Sequence, residues 1–166
     1  MITELATIGY EGSNLADFVA TLNKCGIQLL LDIRELPLSR KKGFSKNGLA
    51  EALANAGVEY VHIKSLGDPK PGRLAARNGD FDSFRRIFGA HLQTDDAQTG
   101  LALAARLVRE KRAVLLCFER DHCNCHRAIV AERLSQETGL PLRHLGVRAG
   151  IALDGVTAHE GRSTAA

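Results

Sequence analysis

A chain of 166 residues, 45% hydrophobic and 25% charged, has enough apolar material for one core and too little length for two independent ones. A net charge of +3 excludes the strongly basic balance of a dedicated nucleic-acid binder, and no uncharged apolar run is long enough for a bilayer, so no membrane span is expected. The start, MITELATIGYEG, lacks the basic segment, apolar block and cleavage site of a secretory signal, which predicts cytoplasmic residence, and four cysteines in this length read as thiols rather than a disulfide scaffold.

Short apolar, β-branched runs alternate with helical periodicity, the pattern of a parallel sheet covered by helices. Strands are predicted over 4–8, 28–33, 58–63, 113–118 and 141–145. After the first, Ser13-Asn14 caps a helix whose Leu15, Phe18, Val19 and Leu22 share a face, and Gly26 stops it. A second helix runs from near Ser45 to before Gly57 through Leu49 and Leu53. Two more follow the third strand, one striped by Phe81, Phe84, Ile87, Phe88 and Leu92, the other by Leu101, Ala104 and Val108. The last, about 125–138, carries Ile129, Val130 and Leu134 and ends at Gly139-Leu140-Pro141.

The predicted fold is α/β: three layers, a mostly parallel sheet of about five strands with helices on both faces, in a single domain over 1–147. Residues 148–166 read as a peripheral C-terminal tail, with the alternative of a small hairpin pairing Ile151–Leu153 with Val156–Ala158 across Asp154-Gly155.

In such a sheet the loops leaving the strands' carboxyl ends meet along one edge, where ligands bind. Four exits here carry polar groups: Tyr10-Glu11-Gly12, Asp32-Ile33-Arg34, His62 to Gly67, and Cys117 to Arg127. Asp32 and Arg34 lie two apart on a strand and so point the same way, suited either to pair with each other or to face a ligand. The loop PLSRKKGFSKNG offers Ser39, Arg40, Lys41 and Lys42 ahead of a helix, a set suited to phosphate or carboxylate, although a solvated basic run has the same composition. His62 shares a strand face with Tyr60, and either reads as a structural residue or a site residue.

The densest chemistry is LLCFERDHCNCHR, residues 115–127. A strand ending near Phe118 and a helix starting near Cys125 put the Cys125 thiol at a helix N-terminus beside His126 and Arg127, a setting that favours thiolate. Cys125 is then the candidate nucleophile, His126 or His62 the proton carrier, and Glu119 a group that orients Arg127 or moves a proton. Cys117 belongs to the site if its side chain faces the pocket, and Arg34, Arg40 and Arg127 make the anion clamp, with Tyr10, Ser39 and Asp32 as further substrate contacts. A metal reading uses Cys117, Cys123, Cys125 and His126 or His122, donors that zinc or iron accepts, but the C-x5-C-x-C-H spacing is not that of paired knuckles.

In order, Thr7-Ile8-Gly9-Tyr10, Asp32-Ile33-Arg34 with Pro37, Ser39-Arg40, Gly43-Phe44-Ser45, Tyr60 and His62 before Leu66-Gly67, and Cys117, Glu119 and Cys125-His126-Arg127 resemble the domain-of-unknown-function family 488 over residues 5 to about 145. The resemblance implies an address for the site and assigns no reaction. It implies that Cys117, Glu119, Cys125, His126 and Arg127 belong to the shared pattern while His122 and Cys123 do not, which weakens a metal set needing Cys123. A looser similarity to rhodaneses, in LLLDIRE and VLLCFERDHCNCHRAIVAERLSQETG, concerns layout alone, because their C-x4-[RS] cradle is missing.

Two functions follow as expectations. One is an enzyme with a Cys/His/Arg site at the carboxyl edge of the sheet, acting on a small anionic or phosphorylated substrate. The other is a metal-holding or nucleic-acid-associated module without turnover.

Overall fold

A computed structural model of the chain describes residues 1–154. Its strands are β1 (Leu5–Gly9), β2 (Leu29–Asp32), β3 (Glu59–His62), β4 (Ala113–Cys117) and β5 (Leu142–Leu145). Its helices are α1 (Leu15–Lys24), α2 (Lys46–Asn55), α3 (Lys70–Arg77), α4 (Phe81–Leu92), α5 (Asp95–Glu110) and α6 (His126–Thr138), with short 3-10 turns at Lys64–Leu66 and His122–Asn124.

The five strands form one parallel sheet in the order β3-β2-β4-β1-β5. Right-handed crossovers dictate where the helices go. The chain moves one way across the sheet from β1 to β2 to β3, and α1 and α2 cover one face through Phe18, Leu22, Leu49 and Leu53. It then moves the other way to β4 and β5, and α4, α5 and α6 cover the opposite face through Phe88, Ala104 and Val130. The three-layer α/β architecture read from the sequence is therefore the one found. The three inner strands are buried at every position, whereas the edge strands β3 and β5 contain exposed residues; burial on both faces explains why LATIG, LLLD and AVLLC read as near-continuous apolar runs.

The capping chemistry is local and largely as expected. The Asn14 side chain accepts from the Asp17 backbone N–H at 2.8 Å, opening α1. Gly139 adopts a left-handed φ of 76° and closes α6. Ser45 precedes α2 without capping it, because its hydroxyl bonds the Ser39 backbone instead.

Helix α3 has no counterpart in the sequence reading. Its segment KPGRLAAR has no apolar stripe, only Gly72 is fully buried, and Pro71 with Gly72 looks like loop; the signal that remained was proline in the first helical turn, where its missing N–H costs nothing. Beyond β5, residues 151–154 are helical rather than extended, and the Asp17 carboxylate accepts from the Gly150 and Ala152 N–H groups at 2.9 and 3.0 Å. The first arm of the expected hairpin is thus a helical turn tied to α1, and its second arm, Val156–Ala158, lies outside the described residues.

Two features of this topology position the site. β1 and β4 are neighbours with Gly9 level with Cys117, and the connections leaving them run to opposite faces, which opens a crevice at their carboxyl ends. The loop after β4 then crosses the end of β1 so closely that a Cβ on Gly9 would lie 1.7 Å from the Glu119 carbonyl oxygen. Glycine is the residue that permits that crossing.

Candidate functional site

Cys125 is the N-cap of α6, and its Sγ accepts the Arg127 backbone N–H at 3.3 Å. The same sulfur touches the Cys117 Sγ at 2.7 Å and donates its proton toward Glu119 Oε2 at 3.3 Å. Cys117, at the last position of β4, is wholly buried, and Cys125 is 3% exposed. What little of Cys125 is exposed faces a cavity of about 740 Å³ whose wall also includes Glu119 and His126. The two cysteines therefore share a site, with Cys125 in front and Cys117 behind it.

His126 is oriented by its far nitrogen. Nε2 lies 2.8 Å from the Ile33 carbonyl, an acceptor, so that nitrogen carries the proton, and in the neutral ring Nδ1 is left as an acceptor 3.9 Å from Cys125 Sγ. The expectation that the setting of Cys125 favours thiolate meets an opposing effect. Its burial, and then the contact with Cys117, push the thiol well above its ordinary value, while His126 pulls the other way. Burial opposes charge on His126 as well, but the Cys125 sulfur and the Ile33 carbonyl outweigh it and lift the ring to about 9. Part of that lift comes from the Cys125 sulfur itself, so the thiol and the ring titrate as a pair.

The other residues singled out from sequence divide into two groups. Arg34, Ser39, Arg40 and Tyr10 line the cavity. Asp32 lies behind them as the partner of Arg34, in a two-point ion pair with 2.9 and 2.7 Å contacts. Arg34 Nη1 also donates to the Phe44 carbonyl at 2.7 Å and the Tyr10 hydroxyl at 3.3 Å, and the Tyr60 hydroxyl donates to Asp32.

Arg127 and His62 fall elsewhere. The Arg127 guanidinium is 1% exposed, donates to the Glu119 carbonyl at 3.1 Å and lies beside Gly9; it braces the β4 loop from beneath and is not in the cavity wall. Glu119 meets Arg127 through its backbone, which leaves its carboxylate to Cys125. His62 bonds the Arg34 carbonyl at 2.7 Å and faces a neighbouring cavity, so His126 and not His62 stands beside the thiol. Cys123 is exposed, so the four-donor set with Cys117 and Cys125 is not assembled; among the described residues Cys117, Glu119 and Cys125 form one trio of donors within 4.8 Å of one another, and Asp121, His122 and Cys123 form another.

A model of the family described as Domain of unknown function DUF488 matches residues 14–134. The chain belongs to the DUF488 family. The DUF488 match runs from the cap of α1 into α6, so it takes in Asp32, Arg34, Cys117, Glu119 and Cys125 and leaves out Tyr10 and both β1 and β5. No curated protein and no solved structure matches the chain.

Several cavity residues escaped the sequence reading. Asp68 is 6% exposed, and its Oδ1 is buried without a hydrogen-bond partner. Burial, opposed by His126 and Arg73, raises its carboxyl from 3.8 to about 6. Arg73 donates to Glu35 and to the Asp68 carbonyl, both at 2.7 Å, while Arg77 follows one turn later on α3. Asp68 stands one position beyond the His62-to-Gly67 exit, so extending that strand-end segment by a residue would have found it. The arginines of α3 needed the helix itself.

Proposed function

We propose that this chain is a thiol-dependent enzyme that acts on a small anionic or phosphorylated substrate, with Cys125 as nucleophile. The observation that carries this reading is a single one: the Cys125 sulfur, bonded to a carboxylate and to a helix N-terminal amide, faces a cavity whose wall includes Arg34, Arg40, Arg73 and Arg77. Arg34 and Arg73 are neutralised by Asp32 and Glu35. The Arg40 and Arg77 side chains make no ion pair or hydrogen bond among the described residues, which leaves them free to meet an anion, and the same wall carries the Asp68 and Glu119 carboxylates. An anionic substrate drawn to the two arginines brings its electrophilic centre toward the sulfur. The thiol proton passes to Glu119 Oε2 or His126 Nδ1, and the developing thiolate is stabilised by the Arg127 N–H and the α6 N-terminus.

Alkylation tests this on the intact protein. Iodoacetate and iodoacetamide differ in charge and attack the same thiol. Labelling of Cys125 is expected to be slow at neutral pH and to climb through the alkaline range, as a raised thiol requires. Relative to free cysteine, iodoacetate is expected to gain on iodoacetamide by about tenfold, the ratio that ~1.4 kcal/mol of anion attraction gives, and Arg40→Ala with Arg77→Ala should abolish the gain. A Cys125 that stays unlabelled while the protein is folded, or that shows no charge preference, overturns the reading.

A metal reading rests on Cys117, Glu119 and Cys125. It ranks second because two thiolates on a tetrahedral zinc with ~2.3 Å bonds stand ~3.8 Å apart, and these sulfurs are at 2.7 Å. Elemental analysis of protein purified without added metal, kept reduced, decides it: one equivalent of zinc or iron that Cys117→Ser removes would put this reading first.

A further inference from the structure

We infer that Cys117 is the resolving thiol of a reversible dithiol/disulfide couple with Cys125, so that the site reduces low-molecular-weight disulfides bearing negative charge. This rests on Cys125 being the reactive thiol and adds what happens after it reacts.

The two sulfurs differ in access. Cys125 is in the cavity wall and Cys117 is not, and Cys117 is wholly buried at the end of β4. A reagent entering from the cavity therefore meets Cys125 first. Behind it the Cys117 sulfur is in contact at 2.7 Å, while its other polar neighbour, the Glu119 carbonyl, is a long 3.9 Å away. A disulfide bond is about 2.05 Å long, so closing this contact takes less than about 1 Å of sulfur movement. Cys123, the other cysteine in the loop, is exposed and turned toward His122 at 3.9 Å, out of that contact. Cys25, at the end of α1, bonds through its backbone to α1 and Arg112.

The chemistry balances. Cys125 sulfur attacks one sulfur of an external disulfide; a Cys125–substrate bond forms, the external S–S bond breaks, and the first thiol leaves with the Cys125 proton. Cys117 sulfur then attacks Cys125 Sγ; the intramolecular disulfide forms, the mixed disulfide breaks, and the second thiol leaves with the Cys117 proton. The protein gives up two electrons and the external disulfide becomes two thiols. Arg40 and Arg77 select a negatively charged disulfide, and Glu119 stands where the first proton must be handled. While oxidised, Cys125 has no free sulfur to offer the cavity, so turnover waits for a reductant thiol.

The test uses the full-length chain carrying Cys123→Ser, reduced, then exposed to oxidised glutathione as an anionic disulfide. Intact mass is expected to fall by ~2 Da with no glutathione retained, and the peptide map should join Cys117 to Cys125. Adding Cys117→Ala should instead trap glutathione on Cys125. A parent chain that keeps glutathione on Cys125 overturns the inference. So does a parent that stays reduced while iodoacetate still labels Cys125, an outcome that leaves the nucleophile reading standing. If neither reagent touches Cys125, both fall together. The parent's own mass decides the question even if the buried Cys117→Ala substitution impairs folding.

Discussion

Asp32 and Cys125 belong to adjoining parts of the same sheet edge, yet their surroundings differ in how much bonding capacity is left over. The Asp32 carboxylate receives four donors: the Arg34 N–H and Nε on one oxygen, the Arg34 Nη2 and the Tyr60 hydroxyl on the other. The remaining Arg34 nitrogen is taken up by Phe44 and Tyr10, whose rings stack at 4.5 Å. Around Cys125 the contacts are sulfur contacts, weak as hydrogen bonds, and the neighbouring Asp68 Oδ1 has no partner at all. A buried network with every group matched holds a loop in place and resists change. One with unmatched capacity is costly for the fold to keep, and a substrate can recover that cost. The first cluster is the frame that shapes the cavity wall, and the second is where chemistry is expected.

Substitutions can break this contrast in graded steps. The largest effect belongs to Asp32→Ala, which strands the Arg34 guanidinium in a buried position; a loss of about 3–5 kcal/mol in urea unfolding is expected. A loss under about 1 kcal/mol, the range of an exposed ion pair, would erase the distinction between frame and site.

Asp68→Asn sharpens the comparison through pH. The folded chain holds the Asp68 proton up to about pH 6 against 3.8 for the ordinary carboxyl. Its contribution is therefore fully present below about pH 3.8 and lost as pH rises through about 6. The substituted chain lacks that loss, so it should overtake the parent between pH 4 and pH 7 by about 1 kcal/mol, after discounting for solvent screening. A difference that does not vary with pH would remove Asp68 from the set of titrating cavity groups.

The smallest stability effect is expected for Arg40→Ala and Arg77→Ala. These side chains are exposed and unpaired among the described residues, so urea midpoints should move by the equivalent of less than about 0.5 kcal/mol. Their consequence should appear in the preference for anionic reagents. A large drop in stability would mean that they serve the frame instead.

Chain order and local pattern were enough to place most of the cluster elements. LATIG, LLLD and AVLLC declared themselves as buried strands, Asn14 and Gly139 marked helix ends, and the alternation of strand and helix directed Tyr10, Arg34 and Cys125 to one edge. Helix α3 escaped because Pro71 and Gly72, side by side in its first turn, read as loop, and with it went Arg73 and Arg77. Periodicity also cannot say which side of a strand end a long side chain takes. Arg127 and His62 were on suitable elements, but one was drawn beneath the β4 loop and the other into the neighbouring cavity.

What the sequence determined by itself was the parallel α/β frame and the edge at which its polar groups collect, because the hydrophobic period and right-handed crossovers are properties of short segments and their order. Tertiary structure alone decided that Cys117 lies against Cys125, that Cys123 stays apart, and that burial pushes the Cys125 thiol up. Those outcomes depend on distances between atoms of different elements and on how much water is excluded from between them, and neither quantity is written in any local stretch of chain.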